Sequence, residues 1–283
     1  MALKFKKAEV KQQRLKVLVY GEMGSGKSTI CCSLPNVAYI DTEDTSSKEQ
    51  YAEAINSNGG AVAKIGDIDE IILQVKELMV GNHPYKTLVI DSLTIPYEKA
   101  ASAAEKKVGS DFGKHTAVAD KKVNDLVALL LDERFDMNVI VTAHSKREYG
   151  SGMTALGNTA VGPKRLGFAF DLVLETSVLG RNFQALVKKS RLKSFPTGEE
   201  VKFNYEELVR RCGVDSLEAA AKPLVFATPE QVKEIQRLNT VLNTPAETIE
   251  KWLEKAKCES FETMDTDTIA KCIEAQLKKM ESK

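Results

Sequence analysis

Residues 15–28 read LKVLVYGEMGSGKS, and they decide the fold. A short Val-rich apolar run, Leu15 to Tyr20, stops at glycine and gives way to a helix-compatible stretch. Between them GEMGSGKS, Gly21 to Ser28, completes the pattern G-x-x-x-x-G-K-[ST]. Strand, glycine-rich turn and helix are the context this pattern needs in order to cradle phosphate. Glycines let the turn curl until successive backbone N–H groups converge, and they admit phosphate close to the main chain. The segment Gly21, Glu22, Met23, Gly24, Ser25, Gly26, Lys27, Ser28 and Thr29 is therefore the expected nucleotide-binding loop. Lys27 would face the β- and γ-phosphates, and the Ser28 hydroxyl would ligate Mg²⁺.

The same design recurs along the chain. VAYID (37–41), TLVID (87–91), NVIVTAH (138–144) and FDLVLET (170–176) are apolar runs bounded by turns. Helix-period stretches lie between them, among them 68–79 and 120–135. Such alternation predicts a mainly parallel central sheet covered on both faces, an α/β fold. FQALVKKS (183–190) and EEVKFNY (199–205), joined by the turn SFPTG, are expected to close it as an antiparallel hairpin.

Beyond about residue 228 the pattern changes. TPEQ (228–231) and TPAE (244–247) each offer a capping box with proline at the first helical position, and Asp265 or Asp267 offers a third cap. The spacing predicts three amphipathic helices around Trp252. The expected organisation is a basic arm over 1–14, a core over 15–205, a linker over 206–227 and a helical bundle over 228–283. The arm reads either as a solvated tail or as a segment that touches phosphates.

Composition excludes several classes. Hydrophobic residues make up 43% and charged residues 28%, which is ordinary for a globular chain. No apolar run approaches the roughly 18 residues that span a bilayer, so no membrane partner is expected. Five cysteines without a C-x-x-C pair fit free thiols in the cytoplasm. The 40 basic and 40 acidic residues balance, so any basic surface must be local.

Acids near the loop are candidates for the chemistry. Asp91 ends the TLVID run and suits the second Mg²⁺ position, usually held through water. Glu43 follows one strand after the loop; it reads either as a base for water attacking the γ-phosphate or as a solvated turn acid beside Asp41 and Asp44.

The order of phosphate loop, I-D-x-E, V-I-D-S and a strand ending in a polar residue resembles the ATPase core of RecA-like recombinases and hexameric helicases. That resemblance implies a RecA-like P-loop ATPase with ATP and Mg²⁺ as cofactors. It implies Glu43 as catalytic base, Asp91 at the metal, and His144 as the residue coupling the γ-phosphate to a DNA-binding loop, where the family usually has Gln. VTAHSKRE and GPKRLGFAFDLVLE are similar to the RecA-like branch of phage single-strand annealing proteins, the Sak type. KKSRLKSFPTG (188–198) is similar to the K-x-R hairpin of DnaB-type helicases. The tail is similar to modules appended to phage recombination proteins, through which another recombination protein or a single-strand-binding protein could dock.

Residues 145–165 hold four glycines, with Lys146, Arg147, Lys164 and Arg165 at the ends and Tyr149 and Met153 between. A loop of this length is uncommon unless functional, and its composition suits a grip on single-stranded DNA. The stretch 109–115 is a second candidate. Lys189 and Arg191, two apart on a strand, should share a face; they are expected to reach a phosphate on a neighbouring subunit of a ring or filament.

The leading expectation is an ATP-hydrolysing protein that binds single-stranded DNA in recombination, repair or annealing. A hexameric helicase or its loader, a non-hydrolysing ATP-dependent scaffold and a small-substrate phosphotransferase are the alternatives. The last would need a lid with several arginines, which 145–165 does not offer.

Overall fold

The computed structural model describes residues 14–149 and 155–281, together with Phe5 and Lys7. The arm expected over 1–14, and Gly150, Gly152 and Met153 of the expected DNA loop, lie otherwise outside the described residues. The chain divides into two compact units, Met1–Lys222 and Pro223–Lys283.

The first unit is built on a mainly parallel sheet. Its strands are β1 (Lys16–Gly21), β2 (Val37–Asp41), β3 (Ala61–Lys64), β4 (Thr87–Asp91), β5 (Asn138–Tyr149), β6 (Ala155–Ala160), β7 (Leu172–Leu179), β8 (Asn182–Ser190) and β9 (Glu200–Lys202). They lie in the order β3-β2-β4-β5-β1-β7-β8-β9, with β6 paired to β5 off this path. Strands β1, β2 and β4 are buried along their whole length, as strands covered on both faces must be. This is the mainly parallel α/β arrangement expected from the sequence, and the β8–β9 pair is antiparallel as expected.

The helices of this unit are α1 (Lys27–Cys32), α2 (Glu49–Ser57), α3 (Ile68–Val80), α4 (Thr94–Val108), α5 (Lys114–Leu130), α6 (Leu166–Ala169), α7 (Tyr205–Cys212) and α8 (Val214–Glu218). On one face Ile30, Cys31 and Cys32 of α1 and Ile55 of α2 join Val17, Val19, Tyr39, Val89 and Ile140 in a single buried cluster. The alternate residues Leu18, Ile40, Leu88, Ile90 and Val141 are buried as well, while α3, α4 and α5 pack on one another.

Three elements depart from expectation. The stretch 206–227, read as a linker, begins with α7 and α8, whose Leu208 and Leu217 are buried in the main cluster. The helix read over 120–135 starts earlier, at Lys114, so α5 takes up the end of the 109–115 candidate loop. It stops at Leu130, and Asp132 then folds the chain into a turn by accepting from the backbone N–H and the guanidinium of Arg134. The third departure concerns 145–165. β5 runs on to Tyr149 and pairs antiparallel with β6, so most of the expected loop is a β-hairpin.

The second unit contains α9 (Pro229–Val241), α10 (Ala246–Ala256) and α11 (Thr266–Glu281). Thr228 and Gln231 form the expected capping box on α9, and Asp265 caps α11 by accepting from the Thr268 N–H at 2.9 Å. The second expected box is absent, because the Thr244 hydroxyl instead accepts from the Gln276 amide at 2.6 Å. The core comprises Val232, Ile235, Phe261, Met264 and Ile269. Trp252, expected at its centre, is only partly buried and packs against its margin.

Candidate nucleotide site

Sheet topology brings the sequence-predicted residues together. β1, which feeds the phosphate loop, is separated from β4, which ends at Asp91, by the inserted strand β5. In register, Gly21 of β1 pairs with His144 of β5, and Asp91 of β4 pairs with Asp41 of β2. The carboxyl ends of β1, β2 and β4 thus meet beside His144, where β5 leaves the sheet, at the edge where open α/β sheets bind ligands. A cavity of about 710 Å³ opens there. The whole loop from Gly21 to Thr29 lines it, with Glu43, Asp91 and His144 and with Arg147 and Phe183.

The loop is held tightly from behind. Gly26 has φ +87°, in the left-handed region, and a Cβ there would sit 2.3 Å from the Phe183 ring. Glycine is therefore required at this position both by backbone conformation and by the close approach of β8. A Cβ on Gly21 would meet the Thr176 hydroxyl at 2.2 Å and its carbonyl at 2.6 Å, and Ser25 Oγ lies 2.7 Å from Thr176 Oγ1. Lys27 is buried, and its amine donates to the carbonyls of Gly21 and Glu22 at 2.8 and 2.9 Å. Burial pushes its pKa down, against the opposing pull of Asp91 and Glu43.

Asp91 is 2% exposed. One carboxylate oxygen accepts from the Tyr39 hydroxyl and the other from the Thr142 hydroxyl. Burial, then the Asp91 charge, pushes the Tyr39 phenol well above its ordinary pKa, so it remains a donor. The Ser28 hydroxyl and this carboxylate fit a Mg²⁺ held by phosphates and water, because that ion takes few protein ligands. Such a site needs no cluster of acids, and no group of three or more His, Cys, Asp or Glu suited to a metal occurs among the described residues.

Glu43 reaches the same region from the turn after β2. Its Oε1 accepts from the Ser92 hydroxyl and lies 2.8 Å from His144 Nε2. The turn itself is built by Asp41, buried at the strand end. Asp41 Oδ1 accepts from the backbone N–H groups of Glu43 and Thr45 at 3.0 and 3.1 Å. Its Oδ2 accepts from Ser46 N and Oγ at 2.8 and 2.5 Å. Asp41 is thereby occupied with placing Glu43, and Asp44, exposed, pairs with Lys64 at 2.5 Å. Of the three acids in this stretch, only Glu43 lines the cavity.

Sequence reasoning missed the supporting residues Tyr39, Asp41, Ser92, Thr142, Thr176 and Phe183. The first four lie in or beside the strand ends already singled out, and alternation along β2 and β5 could have found Tyr39 and Thr142. Thr176 and Phe183 come from β7 and β8, and only the tertiary fold reveals them.

The expected DNA-binding set is split. Arg147 pairs with Asn158 across the hairpin and both line the cavity, whereas Lys146, one residue earlier, leaves the opposite face. Lys164 and Arg165 are exposed just before α6, and Tyr149 is exposed at the end of β5. Lys189 and Arg191 are both engaged with their own chain. The Lys189 amine donates to the carbonyls of Gly167, Phe168 and Phe170. Arg191 donates to the carbonyls of Phe168 and Ala169 and pairs with Asp171 at 3.0 Å. A role on a neighbouring subunit would require both to leave these partners.

No helix among the described residues is long and apolar enough to cross a membrane. None of the curated proteins matches this chain. Among solved structures, the chain is similar to the RadB recombinase, with 19% identity over 66% of this chain and 87% of that one and a TM-score of 0.44. A likeness of that size bears on neither activity nor partners. A family model described as "AAA domain" matches residues 13–180. That span covers the phosphate loop, Glu43, Asp91 and His144, and by it the chain belongs to this AAA-domain family of P-loop nucleotide-binding proteins.

Proposed function

We propose that this protein is a Mg²⁺-dependent ATPase that binds single-stranded DNA and acts in recombination, repair or strand annealing of the phage type. The observation that carries the reading is the meeting of Lys27, Asp91, Glu43 and His144 at one cavity. Lys27 holds the β- and γ-phosphates, Ser28 and Asp91 hold Mg²⁺, and Glu43 accepts the proton of the attacking water. His144, hydrogen-bonded to that carboxylate, keeps it oriented.

DNA enters the proposal through β5. The strand that carries Thr142 and His144 continues into the exposed hairpin with Lys146 and Tyr149, and Lys164 and Arg165 follow it. Cations and an aromatic at an exposed hairpin suit backbone phosphates and a stacked base. Self-assembly into a ring or filament, and docking of a recombination protein on the C-terminal unit, belong to the same proposal.

Steady-state ATP hydrolysis with and without single-stranded DNA tests it. Hydrolysis that requires Mg²⁺ and rises with DNA is expected. ATP binding without turnover would favour an ATP-dependent scaffold. DNA-stimulated turnover accompanied by strand displacement would favour a helicase.

A further inference from the structure

β5 meets the candidate site at several points along its length and from both faces, Thr142 and His144 on one and Ser145 and Arg147 on the other. Thr142 donates to Asp91, His144 bonds Glu43, and Arg147 stands where the strand has left the sheet. At a rise of about 3.4 Å per residue, Arg147 lies roughly 10 Å along the strand from His144. Its partner across the hairpin, Asn158, is anchored on the strands flanking the phosphate loop. The Asn158 amide donates to Glu175 Oε1 at 3.0 Å, and its carbonyl accepts from the Tyr20 hydroxyl at 3.1 Å. The hairpin root is therefore fixed over the cavity.

Arg147 forms no hydrogen bond or ion pair with any described residue. Other basic side chains of this unit differ: Lys189, Arg191 and Lys188 are each held by carbonyls or by a carboxylate. Histidine aside, Lys27 and Arg147 are the two basic side chains lining the cavity, against Glu22, Glu43 and Asp91. A triphosphate brings more negative charge than Lys27 and one Mg²⁺ neutralise. An unpartnered guanidinium at the mouth, beyond the Glu43–His144 pair, is suited to the outermost phosphate, which it can grip through two parallel N–H donors.

We propose that Arg147 binds the γ-phosphate of ATP from the same chain, so that the hairpin distinguishes ATP from ADP. This rests on the nucleotide reading of the cavity. It assigns Arg147 to nucleotide, and leaves the outward Lys146 to any nucleic acid.

The test is titration of the full chain with fluorescent ATP and ADP analogues in the presence of Mg²⁺ and without DNA. Arg147→Ala is expected to weaken ATP binding by about 10-fold or more, the scale of one lost charge-assisted hydrogen bond, and to leave ADP binding unchanged. Arg147→Lys should recover part of the loss. Equal losses for ATP and ADP, or no loss, would overturn the proposal. Full ATP affinity in Lys27→Ala would instead overturn the nucleotide reading of the loop. A wild-type chain that binds neither nucleotide would overturn both.

Discussion

His144 Nε2 and Glu43 Oε1 lie 2.8 Å apart although 101 positions separate them in the chain. The contact joins the strand between the two nucleotide-site strands to the turn after β2. It gives the proposed base a second hydrogen-bonding partner beside Ser92. Glu43→Gln should keep ATP affinity and lower turnover by about 10²-fold or more, the scale of lost general-base help. His144→Gln, which retains an N–H donor, should lose less turnover than His144→Ala. Single-turnover kinetics check both, and unchanged turnover in Glu43→Gln would remove this carboxylate from the chemistry.

Two loop substitutions should separate charge from shape. Lys27→Ala removes the cation and is expected to abolish tight ATP binding in an otherwise folded protein. Gly26→Ala keeps the charge, but it forces a side chain into the left-handed region and against the Phe183 ring. It should also lose nucleotide affinity, and adding Phe183→Ala should restore only part, since the backbone strain of about 1–2 kcal/mol remains. Calorimetric titration with ATP distinguishes the cases.

Lys189 and Arg191 fasten the chain around α6. Losing the three carbonyl contacts of Lys189 should cost about 2 kcal/mol, the range for hydrogen bonds to a charged group. For a unit of this size, that lowers Tm by roughly 4–8 °C. Thermal unfolding of Lys189→Ala measures it. If stability is unchanged while turnover falls and becomes dependent on protein concentration, the pair acts on a neighbouring subunit instead. Mixing Arg191→Ala with Glu43→Gln subunits would then restore activity.

Each compact unit has its own hydrophobic core. A chain ending at Lys222 should fold and bind ATP with wild-type affinity. Insolubility or lost binding in the truncated protein would show that residues 223–283 complete the first unit.

Lys16 supplies a prediction in pH. It is buried, donates to the carbonyls of Phe135 and Met137, and has its pKa lowered to about 7, chiefly by burial. Between about pH 7 and its unfolded value near 10.4, the unfolded chain binds more protons at this site than the folded chain. Stability contributed by this group therefore rises with pH across that window, and the cost of burying the charge is fully present below it. Lys16→Met should flatten the rise, whatever its effect on absolute stability. Denaturant midpoints measured from pH 6.5 to 10 read the slope, and an unaltered slope would contradict the assignment.

Most of the sheet was legible because fully buried parallel strands print as short apolar runs. VAYID and TLVID match β2 and β4 residue for residue. The edge strand β3, with Val62 largely exposed, prints no such run and was not anticipated. The hairpin was read as a loop because glycines at 150, 152, 157 and 162 punctuate it and few of its residues are buried. Its regularity comes from β5 continuing past the sheet, which no local pattern encodes. The phosphate loop, Asp91 and Glu43, which line one cavity, could be singled out by their places at the ends of apolar runs. What holds each of them lay hidden in pairings across the sheet, such as Asp91 with Tyr39 and Thr142.

β5 is buried along its first six residues and then leaves the sheet for the rest of its length. Its buried half is clamped in register between β1 and β4. A slide by a single residue would turn every side chain of the strand to the wrong face. The hairpin therefore cannot report events at the cavity by shuttling along its own axis. Any movement it makes must be a swing about the point of exit, near Ser145, with Asn158 and its anchors on Tyr20 and Glu175 setting the stop.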